Sequence, residues 1–297
     1  MPADSIMHPT LLRLFGLEFH AYPAMLAIAF LTCTLTTVRD LQRRDPPVCG
    51  SPHGGLWAFI GALLGAKVYW ILQYSEPRYL WRAVFLWEGG LVFYGGLIGG
   101  VLGLFAYVRV SKLPPLLVAD ASAPYLALGE AITRIGCFLN GCCWGRPSSV
   151  WWAIPFPRDS HPFDQQVADK LIASTASESL PVHPTQLYMV FGLLAVFAIL
   201  RAVGRSGRPA GRTTVLYVLL YGILRFTVES FRGDSARSMA GMTVSQGISL
   251  GLAVAAAAIL AVTAAARRCK AGYAGRSGTD GVLESSEEIG GDAPRQT

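Results

Sequence analysis

Charge is what this chain has least of. Asp, Glu, Lys and Arg make up 15% of its 297 residues, where a soluble domain carries about a quarter. A fully solvated surface is therefore excluded. The chain also lacks any C-x-x-C pair, and its six cysteines stand at irregular spacing. That argues against a zinc ribbon and against a secreted disulfide framework, and no metal or cofactor is expected. There is no internal repeat and no pair of broken apolar segments near the middle of a membrane, which disfavours a transporter for small anions. The net charge of +6 is spread over loops without a basic–aromatic groove motif, so nucleic acid is not an expected partner. Residues 1–17 hold an acid and prolines and no basic start before an apolar core. They do not read as a signal peptide, and the first span is expected to act as its own insertion signal.

What is abundant is apolar surface. Hydrophobic residues reach 52% and the mean hydropathy is +0.41. Apolar runs of about 20 residues fit the thickness of a bilayer. The expected fold class is all-α, a polytopic helical membrane protein with about seven transmembrane helices and one longer outer-face loop region. The spans fall at 21–38, 56–72, 89–110, 116–138, 185–203, 213–231 and 243–266. Residues 1–270 form a single transmembrane domain with its outer-face loop at about 140–184, and 271–297 form a disordered cytoplasmic tail. Lys and Arg cluster after spans one, three, five and seven, at Arg39, Arg43, Arg44, Arg109, Lys112, Arg201, Arg205, Arg208, Arg212, Arg267, Arg268 and Lys270. The positive-inside rule then puts the N-terminus outside and the C-terminus in the cytoplasm, although Arg78, Arg82 and Arg146 lie on the other side.

With that orientation the unusual polar residues gather at one depth. Tyr22, Lys67, Tyr94, Gly95, Gly96, Arg134, Tyr221, Arg225, Glu229 and Arg232 all sit towards the outer ends of their spans. Ionisable groups inside a span are expensive, so they should face the bundle interior or an aqueous cavity. Tyr221, Arg225, Glu229 and Arg232 recur at i, i+4, i+8 and i+11, which is one helix face. An intrahelical Arg225–Glu229 pair is one reading of that face. An anion site is the other, with a phospholipid headgroup as the natural ligand. The glycines 99, 100 and 103 read as close helix packing; Gly95 and Gly96 admit packing and ligand contact alike. The five histidines all lie outside the span interiors, and His20 and His183 read as interfacial residues.

The most distinctive stretch is 133–146, T-R-I-G-C-F-L-N-G-C-C-W-G-R. Together with Y-G-G-L-I-G at 94–99, H-P-T-Q-L-Y at 183–188 and L-R-F-T-V-E-S-F-R at 224–232, in this order and spacing, it resembles the phosphatidylglycerol–prolipoprotein diacylglyceryl transferase family. The resemblance runs over nearly all of 22–232. It implies a seven-helix enzyme of the bacterial inner membrane that moves the diacylglyceryl group of phosphatidylglycerol onto the lipobox cysteine of a preprolipoprotein. Arg134 and Arg225 match essential arginines of the family. Tyr22, Asp120, Asn140, Gly145, Tyr221, Glu229 and Arg232 also fall on family positions, and Lys67 stands where an arginine is usual.

The resemblance implies catalytic roles for Tyr94, Arg134, Arg225 and Glu229. It implies phosphatidylglycerol binding by Tyr22, Lys67, Gly95, Gly96, Arg134, Asn140, Gly145, Tyr221 and Arg232, with membrane lipids around them. Three positions depart from the family: Tyr94 replaces a histidine, Cys137 an asparagine and Cys142 a glutamate. A tyrosine with a pKa of about 10 is a poor base at neutral pH. Cys137, Cys142 and Cys143 admit inert packing, an outer-face disulfide, or a thiol tuned by Arg134. A membrane paralogue that binds phospholipid without turning it over is the alternative reading.

Overall fold

The computed structural model describes residues 10–14, 17–44, 52–74, 92–158, 160–204, 210–234 and 241–287, and these are predominantly helical. Two short antiparallel strands, β1 (Thr10–Leu14) and β2 (Leu17–His20), pair with Arg13 opposite Glu18 and Leu14 opposite Leu17. The all-α expectation did not include this hairpin, which leads directly into α1 (Ala21–Gln42). The remaining helices are α2 (His53–Tyr74), α3 (Phe93–Val110), α4 (Pro115–Asn140), α5 (His161–Ala168), α6 (Thr185–Gly204), α7 (Arg212–Glu229) and α8 (Val244–Glu287).

The seven longer helices overlie the seven apolar segments, although the expected start of the third, before residue 92, lies outside the described residues. Four stretches are long and apolar enough to cross a membrane: Ala21–Gln42, His53–Tyr74, Thr185–Gly204 and Val244–Ala266. Tyr94–Val110 is apolar but shorter. Leu97, Val101, Phe191 and Val262 are exposed on these helices. Apolar faces of that extent suit hydrocarbon rather than water.

Helix α4 organises the bundle. It opens with Pro115 in the first turn, where a missing N–H costs nothing, and closes on Gly141 at φ 69°. Its small residues let neighbours approach. A Cβ on Gly129 would lie 2.3 Å from Cys33 Sγ of α1. On the opposite side Ala127 and Ala131 join Met189, Leu193, Val196, Leu200 and Val228 in the main buried cluster with α6 and α7. Asp120, also on α4, reaches across to the start of α7. Its carboxylate accepts from Gly211 N, Thr214 N and Thr214 Oγ1, at 2.8, 2.8 and 2.7 Å. Gly211 has no side chain to cap its own helix, so a neighbouring helix supplies the anion that the first turn of N–H groups requires.

Helices α2 and α3 pack chiefly on each other. A Cβ on Gly61, Gly65, Gly95, Gly99 or Gly103 would fall within 2.1–2.4 Å of the partner backbone carbonyl. No such contact is tolerable, so the stripe fixes how close the two helices run.

The 140–184 loop holds α5, capped by Ser160, and isolated bridges pair Pro147 and Ile154 with Val182, and Pro157 with Glu178. The tail from 271, expected to be disordered, is helical as far as Glu287. Residues 288–297 lie outside the described set.

Overpacking and uncapping give the test of this architecture. Gly99→Ala should lower the unfolding midpoint in detergent, with a cost of about 1–3 kcal/mol. Asp120→Ala should do the same by stranding buried N–H groups, at about 1–3 kcal/mol. Gly251→Ala, which meets only open space, should leave the midpoint unchanged. Equal midpoints for all three proteins would refute the packing described.

Candidate functional site

The C-terminal ends of α4 and α7 and the N-terminal ends of α6 and α8 converge, and the chain segments between them are sewn together by backbone hydrogen bonds. Gly145 N donates to His183 O at 3.0 Å and His183 N to Arg146 O at 3.1 Å. Arg146 N donates to Phe231 O at 2.8 Å and Gly233 N to Trp144 O at 3.1 Å. Gly145 is thus clamped on both sides. A Cβ there would come within 2.5 Å of His183, which explains why glycine stands at this position.

The Cys-rich turn is held from α6. Thr185 Oγ1 donates to Cys143 O at 2.6 Å, and Gln186 Nε2 donates to Cys142 O at 2.8 Å. Cys142 N reaches back to Cys137 O at 3.1 Å. Cys143 sits at φ 63°, a left-handed conformation that residues with a Cβ rarely adopt. Thr185 and Gln186 are themselves buried, and the two bonds that hold the turn are partly buried.

Beneath this turn lies a small open cavity lined by Arg134, Cys143, Thr185, Gln186, Met189, Arg225, Val228 and Arg232. Each arginine leans on a carboxylate. Arg134 pairs with Glu130 at 2.8 Å, and Tyr221 donates to the same carboxylate oxygen at 3.2 Å. Arg225 pairs with Glu229 at 2.9 Å, and Arg232 meets that oxygen at 3.6 Å. Arg232 also grips Asp234 with two nitrogens, at 2.8 and 2.7 Å. The Glu229 side chain is 1% exposed, and its other oxygen accepts from Thr243 Oγ1 at 3.1 Å. Thr243 caps α8: its hydroxyl accepts from Gln246 N, and the Gln246 side chain accepts from Thr243 N. A helix start therefore aligns the carboxylate that aligns two guanidiniums.

The intrahelical Arg225–Glu229 pair thus exists, yet it leaves the arginines facing the cavity. Arg134 Nε and Gln186 Oε1 are buried without a hydrogen-bond partner among the described residues. One is a donor and one an acceptor, and both belong to residues that line the cavity. Buried polar atoms of this kind are costly unless a ligand engages them. Cys143 Sγ lies 3.8 Å from Arg134 Nη1. Hydrogen bonds from Cys137 and Cys142, with the nearby charges of Arg232 and Arg134, hold the Cys143 thiol well below its ordinary pKa.

Of the residues singled out in the sequence, Arg134, Arg225 and Arg232 line one cavity, and Glu229 and Tyr221 support them. Tyr22 on α1 is near enough to feel the charge of Arg134 and of the cysteines. Asn140 ends α4 beside Cys142. The α2–α3 residues do not line this cavity. Lys67 is buried at 1% exposure with its ammonium 5.3 Å from the Trp70 ring centre. Tyr94 is 57% exposed on the first turn of α3. Gly95 packs against Gly65 and Tyr69, and Gly96 faces Ala62 and Ala66. Asp120 caps α7, far along α4 from the cysteine turn. Glu130, Gln186, Thr243 and Gln246 were not among the proposed site residues. The signals that point to them are a carboxylate one turn from Arg134, the H-P-T-Q motif at a helix start, and T-x-x-Q at another.

Fold and site together define a helical membrane protein with an arginine-lined cavity at one end of its bundle. A family model described as prolipoprotein diacylglyceryl transferase matches residues 9–262. A protein of Mannheimia succiniciproducens named phosphatidylglycerol–prolipoprotein diacylglyceryl transferase is 33% identical over 252 residues, covering 82% of this chain and 85% of that one. Proteins of the same name from Clostridium tetani and Bordetella bronchiseptica are each 31% identical, covering 82% and 86% of this chain and 93% and 95% of their own. This chain belongs to the prolipoprotein diacylglyceryl transferase family.

Gln186→Leu should release the Cys142 carbonyl and loosen the turn. A water-soluble maleimide should then modify Cys142 and Cys143 several-fold faster than in the parent protein, as read by peptide mass. Unchanged labelling would mean that α6 does not hold the turn.

Proposed function

We propose that this chain transfers the diacylglyceryl group of phosphatidylglycerol to the lipobox cysteine of a preprolipoprotein, forming a thioether and releasing glycerol phosphate. Three guanidiniums lining one cavity, beside an unpartnered buried donor and acceptor, carry this reading. A phosphodiester anion suits the guanidinium forks, and the hydroxyls of its glycerol headgroup suit Gln186 Oε1.

In the reaction the acceptor thiol gives up its proton to water, its sulfur attacks the glyceryl carbon, and an S–C bond forms as the C–O bond to phosphate breaks. The electron pair leaves on a phosphate oxygen, where charge grows. Arg134 and Arg225 act as catalytic residues by stabilising that charge, and Arg232 holds the headgroup. Glu229 positions Arg225 and Arg232, and Glu130 with Tyr221 positions Arg134. Tyr22, Asn140 and Gly145 shape the rim. Tyr94, exposed on α3, fits contact with the acyl chains or the incoming peptide better than contact with phosphate, while Lys67, Gly95 and Gly96 support the α2–α3 packing.

The topology that suits this chemistry has seven spans, α1 to α4 and α6 to α8, in a bacterial inner membrane. The N-terminus and the cavity face outward and the C-terminus faces the cytoplasm. Helix α5 and its loop then lie on the outer face, where Trp144 stacks on His161 and Trp151 is exposed at the level of the headgroups.

Purified protein supplied with phosphatidylglycerol and a lipobox peptide should yield a diacylglyceryl thioether, identified by mass. Arg134→Ala and Arg225→Ala should each cut the rate about a hundredfold or more, whereas the exposed Arg158→Ala should leave it near the parent value. Headgroup binding with no product from folded parent protein would favour the non-catalytic paralogue instead. Equal losses for all three variants would move the site elsewhere.

A further inference from the structure

The three cysteines of the outer turn are not explained by phosphate binding. Their Sγ atoms all lie within 4.8 Å of one another. Cys137 is buried at 4% exposure, and Cys142 and Cys143 are half-buried. In a tetrahedral thiolate site with Zn–S near 2.3 Å, the sulfurs stand about 3.8 Å apart. Rotamer adjustment of about an ångström closes that gap. The backbone is already committed to the arrangement: Gly141 and Cys143 are both left-handed, and Thr185 and Gln186 pin the two intervening carbonyls. Strain at a residue with a Cβ, held by buried hydrogen bonds, brings the Cys143 sulfur towards the other two.

We propose that Cys137, Cys142 and Cys143 form a three-thiolate site for a zinc-class divalent cation, whose fourth position takes the thiol of the acceptor peptide. Soft sulfur donors select such a cation, and three protein ligands leave one position exchangeable. Three thiolates with a divalent cation carry one net negative charge, and the Arg134 guanidinium, paired with Glu130 through one nitrogen, places another 3.8 Å from Cys143 Sγ. Cys143 lines the arginine cavity, so the open side of the site faces the place where phosphate is held.

The cavity needs such a group. Its described lining consists of three arginines, Cys143 and uncharged residues, and an acceptor thiol with a pKa of about 8.5 must lose its proton to react. A thiol that takes the fourth position releases its proton to water. Its sulfur then attacks the glyceryl carbon, and the departing oxygen takes the C–O electron pair. The acceptor step rests on the transferase reading above; the three-thiolate site stands apart from it.

The test uses the full-length reduced protein in detergent with cobalt(II) as the probe. A thiolate-to-cobalt charge-transfer band should saturate at one cobalt per chain, be displaced by zinc, and be lost in Cys137→Ser and Cys142→Ser but not in Cys33→Ser. A lipobox peptide should raise the band by about a third, as three thiolates become four, and the same peptide with serine for cysteine should not. Absence of the band in the folded, reduced parent protein overturns the proposal without reference to any variant. So does a band indifferent to Cys137→Ser and Cys142→Ser, or a Cys137 disulfide that forms in preference to metal binding. A band that ignores the peptide overturns the acceptor step. Failure of the two ideas is separable: a cobalt band without thioether formation sinks the transferase reading alone, and thioether formation without a band sinks the metal site alone.

Discussion

Everything at this end of the bundle depends on pairing charge where water is scarce. Glu229, almost fully buried, is held by the guanidiniums of Arg225 and Arg232 and by the Thr243 hydroxyl. Those partners come from α7, from the turn beyond it and from the start of α8, so one carboxylate ties three segments together. Glu130 does the same for Arg134 and Tyr221 across α4 and α7. The net charge of the cluster stays small, but its direction does not: the carboxylates sit behind and the guanidiniums in front. A cavity lined in this way can accept an anion without reorganising, because the cost of orienting the donors is met when the helices pack.

The second constraint is geometric. Residues 144–146 run between 182–185 and 231–233 with little room to spare, and Gly145 is the residue that permits it. The same sewing places Thr185 and Gln186 over the cysteine turn. The cavity-lining arginines and the cysteine turn therefore share one surface rather than sitting on independent loops.

Much of the bundle was legible in the sequence because hydropathy and length report depth. The seven apolar segments signalled helices that the structure contains. The arginines of α7 were legible by spacing, since i, i+4, i+8 and i+11 can only be one face. Azimuth was not legible. Lys67, Tyr94, Gly95 and Gly96 share the depth of the site, but the glycine stripe turns α2 and α3 towards each other and away from the arginine cavity. Asp120 fell on a family position without a role that spacing could assign; its partners at the start of α7 are 91 and 94 positions away in sequence. The three cysteines were visible as a motif. Their mutual approach depends on two left-handed residues and on bonds from α6, which no local pattern announces.

The central claim is that Arg134, Arg225 and Arg232 together hold the phosphate of the lipid donor. A cryo-electron microscopy map of the protein in phosphatidylglycerol-containing nanodiscs tests it most directly. Phosphate density should lie about 3 Å from the guanidinium nitrogens of these arginines, with the headgroup reaching towards Gln186. A headgroup seated instead along α2 and α3, with the arginine cavity left to water, would contradict the account.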